Sequence, residues 1–436
     1  MSPHPPDDKG NRASHPGALA TFPPVTDPAG VTDPSVTDPS VTDPSGAWRN
    51  FCERLARLGD AIVAADWPSD PATQAEGIRH LSRLTVMAAQ SYLEFADADF
   101  PVFHRYDDDA VKWGGPNADN QYLRARVDPA GCYRIVGDTS AVRDLIVSTH
   151  EGDMQLGQYG VFAERRLDEL RRDPDGRIEL ILGGPDAVHE SDVDHIPLDP
   201  AATIVMIRVY VADWITDGLP WFDIERIDRA SPLPAPLRPE TLVGALDAAA
   251  TWVERSVVYW RDYLEASPVR RLVNRLSPPR SAAGGSERIR YGAGWWQLAA
   301  GEALAIEFPS PTVDPRADNR TDYWSFQLYS TPWFESLDVR NRVNSLNHRT
   351  ALVDPDGVVR IAVAPTDPGI TNWLDTEGRT AGMVSYRFVG AHDPPTPTCQ
   401  LVRVDDLWPQ SARCTPIERG DQIAARRRGI ARRFHR

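Results

Sequence analysis

The chain has 436 residues, of which 41% are apolar and 25% are charged, and its net charge is −15. This composition predicts a soluble globular protein with a large core, because no apolar run approaches the ~18 residues of a membrane span. The negative charge argues against nucleic acid as the main partner, since phosphate binding requires a basic surface. The four cysteines form no Cys-x-x-Cys pair, which favours reduced thiols and a cytoplasmic location.

The N-terminal segment is rich in Pro, Asp, Ser and Thr. It repeats the sequence Val-Thr-Asp-Pro four times, starting at Val25, Val31, Val36 and Val41. Frequent proline removes backbone donors and disfavours helix, so such a segment cannot bury enough apolar surface to fold. Residues 1–46 are therefore predicted to be a disordered leader that is dispensable for folding.

Three helices are predicted from apolar residues at helical spacing. Two of them lie within residues 47–99, on either side of Trp67-Pro68. The third is an amphipathic helix over Pro239–Leu264, within a connecting helical segment at residues 238–284. The arginine-rich tail at residues 409–436 is predicted to be a short, frayed helix and a solvated end, because terminal charge runs are usually disordered.

Two β-rich regions, residues 100–237 and 285–408, flank the connecting segment. Their strands show alternating apolar residues, and the turn sequence Asp-Pro-x-Gly recurs from Asp128, Asp173 and Asp354. Short strands on tight turns favour antiparallel sheets. The fold class is thus predicted to be α+β and mainly β, with two antiparallel jelly-roll-like or sandwich domains and flanking helices.

A series of ordered motifs runs through the second β region. These are the aromatic strand Tyr323–Tyr329, the segment Asn341–His348, the turn Asp356-Gly357, the sequence Asn372-Trp373-Leu374 and the strand end Tyr386-Arg387-Phe388. In this order they resemble the bacterial family called domain of unknown function 1214.

Upstream, Pro116–Tyr122 has the pattern Pro-Asn-x-Asp-x-x-Tyr. It is similar to the signature of domain of unknown function 1254, which often precedes the other domain in one chain. Asn120 departs from that signature, which would have a small hydroxyl residue there. The two resemblances imply two β-rich, jelly-roll-like domains and bring no established reaction.

The upstream motif also contains the first candidate site. Its candidate ligand-binding residues are Asn117, Asn120, Tyr122, Arg124 and Arg126, and Asp119 is a candidate catalytic acid or base. Alternation puts Tyr122, Arg124 and Arg126 on one strand face, where two arginines beside a ring could clamp a carboxylate or another anion. The alternative is a polar turn whose side chains bind their own backbone.

The second candidate site lies in the 1214-like region. Its candidate ligand-binding residues are Trp324, Tyr329, Arg340, Asn372, Trp373 and Arg387, and His348 is the first candidate for an acid or base. We expect Trp324 and Trp373 to line a cleft and Arg387 to face an anionic group, since rings with a few polar groups suit a ligand site. The alternative is a sandwich core with a structural histidine.

Signatures of metal or cofactor binding are weak. The segment His189–His195 holds two histidines and three acids, but an extended chain brings only His189 and His195 together, so a solvated loop is predicted instead of a metal site. The chain carries neither a nucleotide-binding glycine pattern nor a Gly-x-Ser-x-Gly elbow. No metal and no organic cofactor are expected.

Three functions remain open from the sequence. The leading hypothesis is a non-catalytic protein that binds a small organic anion or lipid-like molecule in an aromatic, arginine-lined cleft. The second is a cofactor-independent hydrolase, lyase or isomerase that uses His348 or Asp119. The third is a structural oligomerisation module that forms a homo-oligomer. If the two candidate sites share one cavity, the first two hypotheses are favoured over the third.

Overall fold

The computed structural model describes residues 43–64, 70–184, 193–282, 285–313 and 321–434. The predicted leader at residues 1–46 lies almost entirely outside these ranges, and so does most of the His189–His195 segment. Among the described residues, no helix is both long and apolar enough to cross a membrane. All four cysteines are unpaired.

Nine strands build the first β-sandwich. They are β1 (His104–Arg105), β2 (Asn120–Arg126), β3 (Cys132–Asp138), β4 (Asp144–His150), β5 (Val161–Arg166), β6 (Arg177–Gly183), β7 (Asp194–Ile196), β8 (Ile204–Tyr210) and β9 (Trp221–Arg226). Sheet A has the order β1-β2-β8-β4-β5, and sheet B has the order β7-β6-β3-β9. All neighbouring strands are antiparallel except the short parallel pair β6 and β7.

Eight strands build the second sandwich. They are β10 (Ile289–Gln297), β11 (Glu302–Pro309), β12 (Tyr323–Tyr329), β13 (Ser345–Asn347), β14 (Val358–Ala364), β15 (Trp373–Asp375), β16 (Ala381–Val389) and β17 (Thr398–Arg403). Sheet C has the order β10-β16-β12-β13, and sheet D has the order β15-β14-β11-β17. Here β14 and β15 form the parallel pair. The predicted class of two mainly antiparallel sandwiches is confirmed.

The two sandwiches share one topology. If β2–β9 are matched in order to β10–β17, the strand orders of sheets B and D coincide, and those of sheets A and C differ only by the edge strand β1. The Asp-Pro-Asp-Gly turn supports the match, because it precedes β6 from Asp173 and β14 from Asp354. Both turns close with the glycine N–H donating to the aspartate carbonyl, at 3.0 and 2.9 Å.

Each sandwich has its own apolar core, built from alternate residues that face the partner sheet. In the first, Val205, Ile207 and Val209 of β8 pack against sheet B. In the second, Trp324, Phe326 and Leu328 of β12 pack against sheet D. The opposite faces of sheets A and C contact each other, where Tyr210 meets Tyr323 with ring centroids 5.1 Å apart.

Helices α1 (Pro44–Ala64), α2 (Pro71–Ala89) and α3 (Pro239–Ala266) confirm the three helical predictions. The helix α2 begins at Asp70, whose carboxylate accepts the Thr73 N–H at 2.8 Å and so caps the first turn. The three helices share one apolar cluster that also includes Tyr122 of β2. They therefore cover the part of sheet A that carries the first candidate site.

The C-terminal segment corrects the prediction of a solvated end. Pro416–Phe434 forms the helix α4, and Arg419, Arg426 and Arg433, seven residues apart, are buried along one face. The guanidinium of Arg433 lies 4.4 Å from the Trp214 ring centre and donates to the Ala118 carbonyl at 2.7 Å. Arginine can be buried in this way because its planar, delocalised group stacks on rings. Charge composition alone does not show this.

Arg426 ties the same helix to the second sandwich. It stacks on Trp214 at 4.9 Å and donates to the Ser345 hydroxyl at 3.0 Å. Burial lowers the pKa values of Arg426 and Arg433 to about 10, so that both stay charged at neutral pH. The helix α4 therefore contacts both sandwiches through charged side chains.

Candidate functional site

The loop before β2, which carries the upstream motif, packs directly against sheet C. The Gln327 side chain accepts the Ala118 N–H at 2.8 Å and donates to the Pro116 carbonyl at 3.1 Å. The Tyr329 hydroxyl also donates to the Pro116 carbonyl, at 3.3 Å. The two sequence motifs therefore meet at the interface between the sandwiches.

Asp119 is the centre of a buried hydrogen-bond network at this interface. Its carboxylate accepts the Trp214 Nε1–H at 2.6 Å, the Tyr323 hydroxyl at 2.5 Å and the Asn347 amide at 2.8 Å. These donors come from three separate segments of the chain. The carboxylate is thus occupied by structural donors, as is usual for a buried polar group.

Asn117 and Asn120 belong to the same network. The Asn117 amide donates to the Tyr323 hydroxyl at 3.0 Å and to the Asn120 side chain at 2.9 Å. The Tyr122 hydroxyl accepts the Asn117 N–H at 3.0 Å. These contacts fit the structural alternative of a polar turn, with the addition that the turn also binds the second sandwich.

His348 lies at the edge of this network. Its ring meets the Tyr323 ring edge-on, with centroids 5.7 Å apart, and among the described residues no partner reaches its buried Nδ1 atom. Burial lowers the pKa of His348 to about 4, although the Asp119 carboxylate opposes this shift. The imidazole is therefore neutral at pH 7.

Arg124 and Arg126 point to the helical side of sheet A, as alternation predicts. Arg124 forms a two-point ion pair with Asp153, at 2.8 and 3.0 Å, and Trp252 of α3 donates to the same carboxylate at 2.8 Å. Arg126 lies over the Tyr92 ring at 5.0 Å. The guanidinium of Arg124 is thus engaged within the protein.

The second predicted site does not form one cleft. Trp324 lies in the core of the second sandwich, on the face of β12 opposite the one that Arg387 shares with Ser325. Trp373 lies in sheet D beneath Arg419, and its Nε1–H donates to the Ala364 carbonyl at 2.9 Å. The expectation that both tryptophans line a cleft with Arg387 is wrong, because the strand register separates them.

Two further residues of that set are also remote from Arg387. The Asn372 side chain accepts the Leu352 N–H at 2.8 Å and donates to the Leu352 carbonyl at 2.7 Å, so it holds two loops together. Arg340 is exposed; its main-chain N–H donates to the Asp338 carboxylate at 3.2 Å, and its guanidinium lies 3.9 Å from the Asp109 carboxylate. Neither contact points to a ligand.

Arg387 and Tyr329 do come together. Arg387 is buried, and its Nη2 donates to the Tyr329 hydroxyl at 2.9 Å. Its guanidinium also lies 5.6 Å from the ring centre of Tyr291, the residue directly opposite on β10. No ion pair joins Arg387 to a carboxylate among the residues that the structure describes.

Arg208 of β8 is the site residue that the sequence analysis missed. Its guanidinium lies 5.8 Å from the ring centre of Tyr122, the residue directly opposite on β2. In the described part of the chain, Arg208 has neither a hydrogen-bond acceptor nor a carboxylate partner, and its Nε atom is buried. The signal was an arginine in the middle of the apolar run Ile204–Val211.

These two arginines occupy equivalent positions in the two sandwiches. When β2 is matched to β10 and β8 to β16, Tyr122 corresponds to Tyr291 and Arg208 to Arg387. Tyr122 and Tyr291 each interact electrostatically with both guanidiniums. The interface between sheets A and C therefore holds two tyrosine–arginine pairs close together.

Arg208 and His150 of β4 are both half-buried and retain solvent-accessible surface. Burial, with the charges of Arg208 and Arg124, lowers the pKa of His150 to about 3. The positive charge of this region therefore lies on its arginines and not on His150, and we call the region between Arg208 and Arg387 the cleft.

The loop Gly114-Gly115 packs against the rings of Trp260 and Phe334. Both glycines have positive φ angles, of 65° and 68°, and a Cβ atom would lie 2.5 Å from the Trp260 ring at Gly114 and from the Phe334 ring at Gly115. Phe334 itself has a φ of 52°, which is rare and strained for a bulky residue. Glycine thus allows the loop to press against both rings.

Among the described residues, no group of three or more His, Cys, Asp or Glu side chains could hold a metal ion. The arginines and tyrosines of the cleft are not metal ligands of the usual kind. What the cleft offers chemically is two fixed positive charges, phenolic hydroxyls and aromatic surface.

Comparisons with known proteins define the class first. The model of a family described as "Protein of unknown function (DUF1214)" matches residues 297–393, which lie in the second sandwich. No protein with a curated description matches the chain. The resemblance of residues 116–122 to domain of unknown function 1254 stays a prediction.

Solved structures extend the match. The chain is 35% identical to an uncharacterized protein from Burkholderia cenocepacia, with a TM-score of 0.73, over 83% of this chain and 98% of that one. The chain therefore belongs to the same family as that protein, and its second sandwich carries the domain of unknown function 1214. It is also similar to the VPA0106 protein from Vibrio parahaemolyticus, at 13% identity over 80% of this chain and 99% of that one, with a TM-score of 0.40.

Proposed function

We propose that the protein binds a small organic anion between its two sandwiches, with Arg208 and Arg387 holding the acidic group. One observation carries the proposal. Each guanidinium lies over the tyrosine directly opposite it, Arg208 over Tyr122 and Arg387 over Tyr291, and among the described residues neither has a carboxylate partner. The sequence also predicts anion binding, but at two separate sites. The proposal differs in placing the anion at the interface between sheets A and C and in adding Arg208.

The physical reason is the cost of burying an uncompensated charge. A buried ion costs several kcal/mol unless a counterion or hydrogen bonds replace its water. On the same sheet, Arg124 has Asp153 for this purpose. Among the described residues, Arg208 is surrounded by tyrosines and has no acidic side chain as a partner, so an acidic ligand would supply one. The planar guanidinium fork fits a carboxylate or phosphate at two points.

The buried arginines of α4 differ in this respect. Among the described residues, Arg426 and Arg433 also form no direct ion pair, but the Asp119 carboxylate favours their charged forms. They donate to hydroxyl and main-chain oxygens and stack on Trp214. Their environment is that of structural arginines. Among the described residues the Arg208 guanidinium forms no hydrogen bond, which distinguishes it from the α4 arginines, whereas Arg387 donates only to the Tyr329 hydroxyl.

The enzyme alternative with Asp119 or His348 has weaker support. Three structural donors occupy Asp119, and no residue with the character of a nucleophile lies against His348 in the contacts described above. The homo-oligomer hypothesis has no observation in its favour. The enzyme and homo-oligomer alternatives are therefore treated as possible outcomes of the test.

The experiment is a thermal-shift screen of the full chain against carboxylates, phosphate esters and matched neutral compounds. We compare wild type with Arg208→Lys and Arg387→Lys, which keep the charge but remove the planar fork, and with Arg340→Lys at an exposed arginine. Acidic compounds should raise Tm in wild type and Arg340→Lys, and much less in the other two variants.

A screen in which no acid stabilises the wild type contradicts the proposal. So does a hit that stabilises all four proteins equally. A concentration-dependent Tm without any ligand would instead favour the oligomerisation module.

A further inference from the structure

We infer that the ligand is amphiphilic, with an acidic head group between Arg208 and Arg387 and an apolar acyl chain that extends along a row of rings towards the surface. This inference rests on the proposed function and adds the chemical class of the ligand. It depends on a separate set of residues, on the loop before β5, on α3 and on the loop after β12.

The rings form a continuous row from the surface to Arg387. The hydroxyls of Tyr159 and Tyr259 lie 3.4 Å apart. The ring centroids of Tyr259 and Tyr263 are 6.3 Å apart, and those of Tyr263 and Phe334 are 6.1 Å apart, with both pairs stacked. Phe334 lies 5.3 Å from the ring of Tyr329, whose hydroxyl accepts from Arg387.

The exposed fraction of the side chains decreases along this row from the surface inwards. Tyr159 is 44% exposed, Tyr259, Tyr263 and Phe334 are half-buried, and Tyr329 has no exposed surface. Met206 of β8 belongs to the same apolar cluster and is also half-buried. These half-buried side chains pack against the helical core without being completely buried, and we place the acyl chain along their exposed edges.

The chemistry of the row excludes a purely polar ligand. Tyrosine and phenylalanine faces offer apolar contact, and only the inner end of the row carries fixed positive charge. A small dianion would use the inner end and leave the rings without a role. A fatty acid or a monoalkyl phosphate has both an apolar chain and an acidic head group. Comparing carboxylates with monoalkyl phosphates then shows which head group the arginines prefer.

The strained backbone of Phe334 agrees with this assignment. Its φ of 52° aims the ring at the junction between the outer tyrosines and Tyr329, and Gly115 donates its N–H to the Phe334 carbonyl at 2.8 Å. Strain of this kind persists where the surrounding structure over-determines it, and it is concentrated at ligand sites.

The test is calorimetric titration of the full chain with straight-chain carboxylates from butanoate to dodecanoate, below their micelle concentrations. Parallel arms use the corresponding alcohols and monoalkyl phosphates. Affinity should rise about threefold to fourfold for each methylene that becomes buried, and then level off when the row is filled. The alcohols should bind at least about tenfold more weakly than the acids.

Variants separate the head group from the chain. Tyr259→Ala and Phe334→Leu should reduce the gain per methylene while butanoate binding stays within about twofold, and Arg387→Lys should weaken every chain length by a similar factor. Trp221→Ala, at a ring that is 60% exposed elsewhere on the first sandwich, is the control. Tyr159→Ala, at an exposed side chain, keeps the test open if a buried variant does not fold.

Two results are distinguishable failures. If acids bind but affinity is flat from butanoate to dodecanoate, this inference is overturned and the proposed anion site stands. If no acid binds at any length, the proposed function itself fails. Alcohols that bind as tightly as acids would contradict both the inference and the proposed function, because the arginines would then contribute nothing.

Discussion

Arg208 and Arg387 are equivalent residues of two sandwiches with the same topology, and each lies opposite a tyrosine on the neighbouring strand. Because sheets A and C meet through the faces that carry these residues, the duplication brings the two pairs into one cleft. A single sandwich would expose its tyrosine–arginine pair to solvent. The site therefore depends on both halves of the chain.

The first prediction concerns the cost of the unpaired charge. Arg208→Met should leave the free energy of unfolding unchanged or raise it by about 1 kcal/mol, because it removes a half-buried guanidinium that has no counterion among the described residues. Arg124→Met on the same sheet should lower it by about 3 kcal/mol or more, since Asp153 would lose its partner. Urea unfolding measures both values. Equal losses for the two variants would show that Arg208 has a structural partner after all.

The second prediction concerns the loop Gly114-Gly115, which packs against the rings of Trp260 and Phe334. Gly115→Ala should destabilise the protein by about 2–4 kcal/mol, since alanine is strained at φ 68° and its Cβ would overlap the Phe334 ring. Gly357→Ala is the matched control, with φ 78° but no atom within 4 Å of its Cβ position. It should cost only about 1–2 kcal/mol, the conformational part. If both substitutions have the same effect in thermal unfolding, Phe334 is not pressed against the loop.

The third prediction concerns the network that joins the sandwiches. Asp119→Asn keeps the shape of the side chain but replaces one acceptor oxygen with an amide, so at least one of the donors from Trp214, Tyr323 and Asn347 loses its partner. We expect a loss of about 3 kcal/mol in the free energy of unfolding. Asp168→Asn, at a carboxylate that is 72% exposed, should change it by less than about 0.5 kcal/mol. A loss below 1 kcal/mol for Asp119→Asn would show that the interface does not depend on this carboxylate.

The sequence predicts local features of the fold but not the contacts between distant segments. Alternation and turn sequences sufficed for the sandwiches and for the face of β2 that carries Tyr122 and Arg124, because both depend on local pattern. The partners of the arginines did not follow, since Asp153 and Trp252 approach Arg124 from distant segments. Trp324 was misassigned because the pairing of Ser325 with Arg387 is a matter of register, which a single sequence does not determine.

The C-terminal helix shows the same limit. Its buried arginines recur every seven residues at 419, 426 and 433, a spacing that places them on one helix face. The high arginine content predicts an exposed helix in spite of this spacing, because charged residues are usually exposed unless they have a partner. The partners, Trp214 and the Ala118 carbonyl, belong to the first sandwich and lie far away in sequence.

The fourth prediction concerns acid stability. His150 and His348 have folded-state pKa values of about 3 and about 4, mainly because of burial, whereas an unfolded histidine titrates near 6.5. Below about pH 6.5 the unfolded state therefore binds more protons than the folded state, and stability falls as the pH is lowered towards 4. Each histidine should contribute about 1 kcal/mol per pH unit to this slope.

The measurement is the free energy of unfolding from pH 7 to pH 4 for wild type, His150→Gln, His348→Gln and the double variant. Each substitution should flatten the slope, and the double variant should flatten it most. An unchanged slope in the double variant would mean that other groups control acid unfolding.

The central claim is that Arg208 and Arg387 together hold an acidic group, and a crystal structure of the protein with decanoate tests it most directly. We predict a carboxylate between the two guanidiniums, with at least one oxygen about 2.7–3.0 Å from a nitrogen of each arginine. We also predict that the chain lies along Phe334 and Tyr263. Decanoate bound elsewhere, or a protein carboxylate paired with Arg208 in that crystal, would contradict the account.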